Sequence, residues 1–187
     1  MWQLSRPTPH DVRRHLDAQR GLAFTYAAVG ATRHDAPPAG FARDHNRQRL
    51  GHGAAGFSAA RDAIRAWAMF PAPLAWIAPP AIPIAEGEVA GVIVRAAGLW
   101  WLNAARIVYV IDEPRRFGFA YGTLPGHAER GEERFSVEWL ADDTVWYDLL
   151  AFSQPRYWMA RLAAPVVRGL QRRFARLSRA AMHAAAT

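Results

Sequence analysis

The side chain best suited to acid–base chemistry in this sequence is a carboxylate that shares a strand face with apolar residues. Residues 132–140 alternate with a period of two, which places Glu133 on the same face as Phe135. At the rim of an apolar interior, desolvation raises the pKa of a carboxyl group and suits it to exchange protons. In the alternative interpretation, Glu133 pairs with a nearby arginine, such as Arg106 or Arg134.

Three further polar side chains are candidates to act with Glu133, namely Tyr121, His127 and Arg106. Convergence of two or more of these groups inside a pocket would favour an enzyme that works by acid–base chemistry. Scattered positions would favour a protein that only binds its ligand. The sequence leaves both interpretations open.

Composition excludes several other chemistries. The 187 residues include no cysteine and no lysine, so all 23 basic residues are arginine. Disulfide scaffolds, thiolate metal sites, Walker-type phosphate loops and lysine Schiff bases are therefore ruled out. The histidines lack the spacing of a zinc helix, so we predict no metal and no cofactor. The letters from Gly51 to Gly56 match a dinucleotide-binding fingerprint, but the polar residues 44–50 argue against the buried strand that it requires.

Positive charge is concentrated towards the C-terminus. The formal net charge is +7, and seven arginines follow Asp148 with no acidic residue among them. These arginines form either the solvated face of a helix or a surface module for nucleic acid or anionic lipid. We expect no specific nucleic-acid partner. The N-terminus lacks a signal-peptide layout and prolines interrupt the uncharged residues 66–85, which predicts a cytoplasmic protein without a transmembrane segment.

The elements that position these residues are a sheet and helices. Patterns predict a helix over 9–20, a strand over 24–29, short helices over 44–50 and 58–70, and strands over 74–77, 88–96, 99–111, 116–124, 132–140 and 144–153. Short turns between the later strands require antiparallel neighbours. One face of the strand 116–124 carries only small residues, which indicates close approach of a helix, another backbone or a ligand. These residues are Gly118, Ala120 and Gly122.

The last predicted hairpin has a three-residue loop at 141–143. This loop sets Ser136 opposite Asp148 and keeps the Asp148 carboxylate off the buried face. Large apolar residues then point outward from the last strand, which predicts either a cover or a homodimer contact. They are Trp146, Leu150 and Phe152.

An amphipathic helix ends the chain, with Pro165 in its first turn. Its apolar stripe, predicted to be buried against the sheet, is Val166, Leu170, Phe174 and Leu177. The arginines predicted to lie in solvent are Arg161, Arg168, Arg172 and Arg179. Arg173 falls at the edge of the stripe and is the arginine most able to reach inward.

A long helix with one apolar face must lie on a sheet. The sequence therefore predicts an α+β fold of the helix-grip type, a curved antiparallel sheet of about six to seven strands around the C-terminal helix. Residues 1–187 would form a single domain, with an N-terminal helical extension over 1–21 and the helix-grip domain over 22–183. This arrangement resembles START and Bet v 1 type proteins, which implies an apolar cavity between sheet and helix.

Several runs of the sequence also resemble one uncharacterised family. They include residues 106–112, 116–127 and 144–148, and the run Gly118 to His127 is the most specific. The resemblance is to the family known as domain of unknown function nineteen-ninety, and it covers roughly residues 22–183. It implies no established activity, cofactor or catalytic residue. Gln154 departs from the pattern, in which an arginine is expected before Pro155.

The leading functional hypothesis is a protein that binds a small apolar or amphipathic molecule between the sheet and the C-terminal helix. Tyrosine and tryptophan suit such a site because each combines an apolar body with a polar tip. The alternative is a cyclase-like or hydrolase-like enzyme that acts on such a ligand. The predicted ligand-binding residues are Phe119, Tyr121, Thr123, Glu133, Phe135, Trp139, Tyr147 and Phe174.

Overall fold

A curled antiparallel sheet and three α-helices form the part of the chain that the computed structural model describes, residues 1–34, 36, 38–80, 82–156 and 164–187. The strands are β1 (Trp2–Gln3), β2 (Ala42–His52), β3 (Ala75–Ala78), β4 (Val89–Ala96), β5 (Leu99–Glu113), β6 (Arg116–Thr123), β7 (Glu129–Trp139) and β8 (Thr144–Pro155). The helices are α1 (Pro9–Asp17), α2 (Gly53–Arg65) and α3 (Ala164–Ala186), and Ala31–His34 form a 3-10 helix.

The sheet follows the order β2-β8-β7-β6-β5-β4-β3, and β1 pairs with the start of β5. All neighbours are antiparallel, as the short turns require. We call the face that packs on α2 and α3 the inner face, and the opposite face the outer face. The predicted α+β class, with a curved antiparallel sheet and a C-terminal helix, is confirmed.

The region 42–52 corrects the prediction of a short helix over 44–50. It is strand β2, which pairs with β8 along its whole length at one edge of the sheet. Its polar residues fit an edge position, where neither face needs to be fully apolar. Asp44, Asn46 and Gln48 point to the inner face, whereas Arg43 and His45 belong to the outer face.

The region 24–29 corrects a second prediction, because it forms no strand. It runs across the outer face, where Phe24 and the Tyr26 hydroxyl occupy the space that a side chain at Gly122 would fill. The expected close approach to the bare face of β6 is therefore made at Gly122 by two aromatic side chains of this segment. The rings of Tyr26 and Phe41 also cover Phe152 on β8, each in edge-to-face contact at 5.5 Å.

Helix α1 begins where its capping residues predict. The Thr8 side chain accepts a hydrogen bond from the Asp11 backbone N–H at 3.2 Å, and the Asp11 carboxylate accepts one from the Thr8 N–H at 3.0 Å. This reciprocal pair satisfies donors that the first helical turn leaves free. Val12 and Leu16 are buried against Ile93 and other apolar residues of the outer face.

Helix α2 begins at Gly53, directly after β2, so a strand does precede the glycine motif, contrary to our expectation. The strand is antiparallel to its only neighbour, β8, and the parallel β-α-β unit of a dinucleotide site is not formed by the described residues. The buried side of α2 instead packs on the sheet, with Phe57 stacked on Trp139 at 6.2 Å and Ile64 fully buried.

Helix α3 packs on the inner face with a rotation of about one residue from the predicted orientation. Among its residues from 168 onward, Ala175, Ser178 and Met182 are buried, and the Ser178 hydroxyl hydrogen-bonds the Tyr147 hydroxyl at 2.8 Å. The predicted stripe flanks this line, half-buried, at Leu170, Phe174 and Leu177. A serine occupies the centre because a core tyrosine needs a partner for its hydroxyl.

The solvent exposure of the α3 arginines differs from the prediction. Arg172 is exposed as predicted, but Arg173, expected to reach inward, is exposed as well. Arg168, expected in solvent, instead pairs with Asp44 at 2.6 Å. Arg161 and the side chain of Val166 lie outside the described residues.

Candidate functional site

A row of facing residues crosses the inner face near its open end. Tyr121 on β6 is the register partner of Glu133 on β7, Glu133 faces Ala151 on β8, and Ala151 faces Asp44 on β2. The small Ala151 side chain separates the two carboxylates, and we call the position above it, between Glu133 and Asp44, the recess. We call these residues and the neighbouring Glu129 the carboxylate row.

Tyr121 and Glu133 form the tightest pair of the row. The Tyr121 hydroxyl donates to Glu133 Oε2 at 2.5 Å. Burial raises the pKa of Glu133 to about 7, and the negative charges of Glu129 and Asp44 add to the effect against the opposing hydrogen bond from Tyr121. Burial, followed by the charge of Glu133, raises the pKa of Tyr121 well above its usual value. Near neutral pH, Glu133 therefore exchanges a proton easily while Tyr121 keeps its own.

Helix α3 supplies the polar groups that face the row. Gln171 Nε2 lies 2.9 and 3.0 Å from the two carboxylate oxygens of Glu129 and 3.0 Å from Ser153 Oγ. Burial raises the pKa of Glu129, and the hydrogen bonds from Gln171 and Ser153 oppose this effect. Arg168 donates to Asp44. Among the described residues, the row therefore holds three carboxylates and one guanidinium. Glu133 has only Tyr121 as a hydrogen-bond donor there.

The predicted ligand-binding residues occupy three different environments. Phe119, Phe135 and Tyr147 are fully buried below the row. The rings of Phe119 and Phe135 lie 5.5 Å apart, and Trp67 closes on Phe119 at 4.7 Å. These side chains fill the interior and form the apolar floor of the recess.

Tyr121, Glu133 and Phe174 lie at the boundary between this floor and the polar end. Phe70 connects them, because its ring lies 5.6 Å from Phe174 and 6.4 Å from Tyr121. Phe174 is half-buried, so one part of its ring remains accessible. This boundary combines aromatic surface with a titratable carboxyl group.

Thr123 and Trp139 lie away from this boundary. The Thr123 hydroxyl pairs with Thr25 at 2.5 Å and accepts from the Gly131 N–H at 3.0 Å, at the end of β6. Trp139 packs beside α2, and its indole N–H donates to Asp143 at 2.8 Å. The structure does not bring these two side chains to the carboxylate row.

The four groups proposed for acid–base chemistry only partly converge. Tyr121 and Glu133 are in contact, but Arg106 lies over the ring of Phe24 on the outer face, 4.3 Å from its centroid. His127 is half-buried in the loop after β6, where its Nδ1 accepts from the Glu129 N–H at 3.0 Å. Burial lowers the pKa of His127 to about 4. The possible chemistry is therefore limited to the Tyr121–Glu133 pair.

Sequence analysis missed a buried polar cluster on the outer face. Glu132, only 2% exposed, accepts hydrogen bonds from the Tyr26 hydroxyl at 2.7 Å and the Gly30 N–H at 2.7 Å. It also accepts from the N–H of Thr32 at 3.0 Å and from the Thr32 hydroxyl. We call this arrangement the Glu132 clamp, since it fixes residues 26–32 to the sheet.

The same cluster continues to β8. Arg134, 3% exposed, donates to Asp148 at 2.9 Å and to the Thr32 carbonyl at 2.6 Å. The predicted register, Ser136 opposite Asp148, is confirmed, but Asp148 is buried rather than solvated. Burial would raise the pKa of Asp148, yet the hydrogen bonds from Arg134 and His45 outweigh it and hold the pKa below its usual value.

A cleft of about 570 Å³ opens on the outer face, away from the carboxylate row. Its walls are Phe24, Thr25, Tyr26, Ala27, Ala39, Phe41, Arg130 and Gln154. Among the described residues, no group of three or more His, Asp or Glu side chains is placed to hold a metal ion. No described helix is both long and apolar enough to cross a bilayer.

Comparison with solved structures supports the fold. The hypothetical protein jhp0584 from Helicobacter pylori superposes with a TM-score of 0.56 and 11% sequence identity. The match covers 88% of this chain and 99% of the other. At this identity the likeness concerns the fold alone.

Closer relatives are similar over nearly their whole length. A UPF0548 protein of Deinococcus radiodurans is 37% identical over 189 residues, which cover 94% of each chain. A UPF0548 protein of Dictyostelium discoideum is 32% identical over 197 residues, 93% of this chain and 90% of the relative. The family model described as Domain of unknown function (DUF1990) matches residues 25–181. These matches cover the carboxylate row, the Glu132 clamp and most of α3, and the chain belongs to this family.

Proposed function

We propose that this protein binds a small amphipathic molecule in the recess between the inner face and α3. The observation that carries the proposal is the Tyr121–Glu133 pair, a carboxyl group with a pKa of about 7 beside an aromatic floor. A buried carboxyl group without a cationic partner reduces stability, and such groups cluster at functional sites.

The apolar part of the molecule would contact the aromatic boundary of the recess. Phe70, Phe174 and Tyr121 lie there with their rings in contact, and the small Ala151 side chain faces Glu133 beside them. Aromatic side chains supply large contact area with little conformational freedom to lose. A short alkyl or ring system fits these walls.

The polar part of the molecule would carry a hydrogen-bond donor, most favourably an amine. Glu129 and Glu133 add negative charge that Arg168, already paired with Asp44, does not neutralise. An ammonium group would offset this charge and satisfy carboxylate oxygens that water reaches poorly. A carboxylate ligand would add to the repulsion.

Filling the recess tests the proposal directly. Native mass spectrometry of the purified protein should reveal a bound small molecule, and Ala151→Leu should remove it because the larger side chain occupies its place. Ala180→Leu, an identical change at an exposed position of α3, is the matched control and should leave binding intact. Equal occupancy in wild type and Ala151→Leu would contradict the proposed location.

Competition tests the polar preference. Nile red, a neutral fluorescent dye, serves as reporter, with decylamine and decanoate as competitors of equal chain length. Decylamine should displace the dye at lower concentration than decanoate, and the difference should grow as pH rises through about 7. Equal competition by both compounds would exclude the carboxylate row as the binding group.

The Tyr121–Glu133 contact also favours a second candidate, an enzyme that moves a proton on the bound molecule. A carboxyl group that titrates near neutral pH is suited to general acid or base chemistry. Glu133→Gln would then bind the unconverted molecule. A co-purified ligand whose chromatographic retention or fragmentation spectrum differs between wild type and Glu133→Gln would support catalysis, and an identical ligand would favour binding alone.

A further inference from the structure

We infer that the outer-face cleft is a second binding site, for a small flat organic anion. The cleft is shallow and open, with a volume of about 570 Å³. It lies across the sheet from the carboxylate row, so the inference stands independently of the function proposed above. Its ligand would have the opposite charge to the one expected there.

The walls of the cleft are aromatic. Phe24 and Tyr26 lie 5.8 Å apart on one side, and Phe41 lies on the other. The Glu132 clamp holds the Tyr26 hydroxyl at 2.7 Å, so this ring is fixed in place before any ligand arrives. A rigid aromatic wall loses little freedom on binding a flat molecule.

The charge of the cleft is positive. Arg130 is its one charged lining residue, and it makes no ion pair with any described residue. Its guanidinium lies 5.8 Å from the centroid of Phe41, so cation and aromatic surface are adjacent. Arg106 lies behind Phe24, with no ion pair to the described residues either. The carboxylate under Tyr26, that of Glu132, is already covered by hydrogen-bond donors.

Gln154 completes the polar side of the cleft. It is the register partner of Arg130 on the neighbouring strand. Its Nε2 donates to the Gly40 carbonyl at 3.0 Å, whereas its Oε1 is buried and has no hydrogen-bond partner among the described residues. A buried acceptor without a partner is rare in proteins, and a ligand donor would satisfy it. The site thus fits an aromatic body that carries one carboxylate, sulfonate or phosphate group and one hydrogen-bond donor.

Two matched dyes test this inference. Anilinonaphthalene sulfonate has an aromatic body, an N–H donor and an anionic group, and phenylnaphthylamine lacks only the anionic group. The wild-type protein should bind the sulfonate at one site. Arg130→Gln should weaken that binding about tenfold, as expected for loss of a charge-assisted hydrogen bond. The variant should leave phenylnaphthylamine affinity within about twofold.

Control variants distinguish binding in the cleft from non-specific charge attraction and from binding in the recess. Arg172→Gln removes the same charge from an exposed position of α3 and should change sulfonate affinity less than about twofold. Ala151→Leu fills the recess only and should have no effect.

Several outcomes would overturn the inference. They are no binding of the sulfonate by wild type, equal losses for Arg130→Gln and Arg172→Gln, or loss of sulfonate binding in Ala151→Leu. The last result would place the dye on the inner face. None of these outcomes tests amine binding on the inner face, so each of the two proposed sites can be refuted without the other.

Discussion

The Tyr121 hydroxyl and the Glu133 carboxylate lie 2.5 Å apart on facing positions of two central strands. The pair joins the apolar floor of the inner face to its polar end. A carboxyl group in this position favours its neutral form, because burial removes the water that would stabilise its charge. The pH dependence of stability should therefore report on this one contact.

Glu133→Gln should flatten part of that pH dependence. The pKa of Glu133 rises from 4.5 in the unfolded chain to about 7 in the fold, so folding favours the protonated form. Stability from this group is present below pH 4.5 and is lost as pH rises through about 7. The variant should match wild type near pH 5 and exceed it by about 2 kcal/mol at pH 8 in denaturant unfolding. Glu138→Gln, which loses ion pairs on the same strand, should gain nothing at pH 8.

Glu132→Ala should destabilise the protein by about 3–5 kcal/mol, since it leaves several buried donors without an acceptor. Release of residues 26–32 should also expose the peptide bond after Arg33 to trypsin. Unfolding in denaturant and limited proteolysis measure the two effects. Thr32→Val, which removes one of the donors, should show a smaller loss in both assays. Trypsin resistance equal to wild type in Glu132→Ala would show that the segment is held by other contacts.

Met182→Ala should lower the free energy of unfolding by about 2–5 kcal/mol, because the side chain is fully buried between α3 and the sheet. Phe174→Ala should cost less than Met182→Ala, since half-buried rings leave smaller cavities. Arg172→Ala should change the free energy of unfolding by less than about 0.5 kcal/mol. Thermal or denaturant unfolding gives the order. A larger loss for Phe174→Ala than for Met182→Ala would restore the helix orientation that the apolar stripe predicts.

His127 should remain neutral between about pH 5.5 and 8. Its pKa is lowered to about 4 by burial, so the proton is bound more tightly in the unfolded chain than in the fold. This group therefore contributes stability that is lost as pH falls from 6.5 towards 4. The ring-proton chemical shifts in NMR spectra should stay constant across the neutral range, with His127→Gln used to assign them. A midpoint between pH 6 and 7 would contradict this effect of burial.

Much of the sheet could be predicted from the sequence because its central strands carry strong local signals. Strands β4 to β8 match their predicted bounds within a few residues, and the register of β7 on β8 follows from the three-residue loop. Strand β2 was missed because its residues have low strand propensity. Its signal was the alternation of Asp44, Asn46 and Gln48 with arginine and histidine, which places unlike groups on opposite faces.

The candidate site was predictable only in part. Glu133 and Tyr121 were found from strand alternation, whereas Glu129, Asp44 and Gln171 join them through contacts between distant parts of the chain. The Glu132 clamp was missed for the same reason, since Tyr26 and Glu132 are separated by 106 positions. Alternation assigns a charged residue to the face away from the core, but it cannot tell whether another segment later covers that face.

Strand β7 serves both faces of the sheet with consecutive side chains. Glu129 and Glu133 point to the recess, while Arg130 and Glu132 point to the cleft and the clamp. Insertion of one residue after Gly131 would exchange the faces of Glu132 and Glu133, sending the carboxylate that accepts from the backbone donors of Gly30 and Thr32 towards the aromatic interior. This strand should accept many substitutions but no change of length. Libraries that vary the protein by deletion and insertion should therefore recover folded members with altered loops and with β7 unchanged in length.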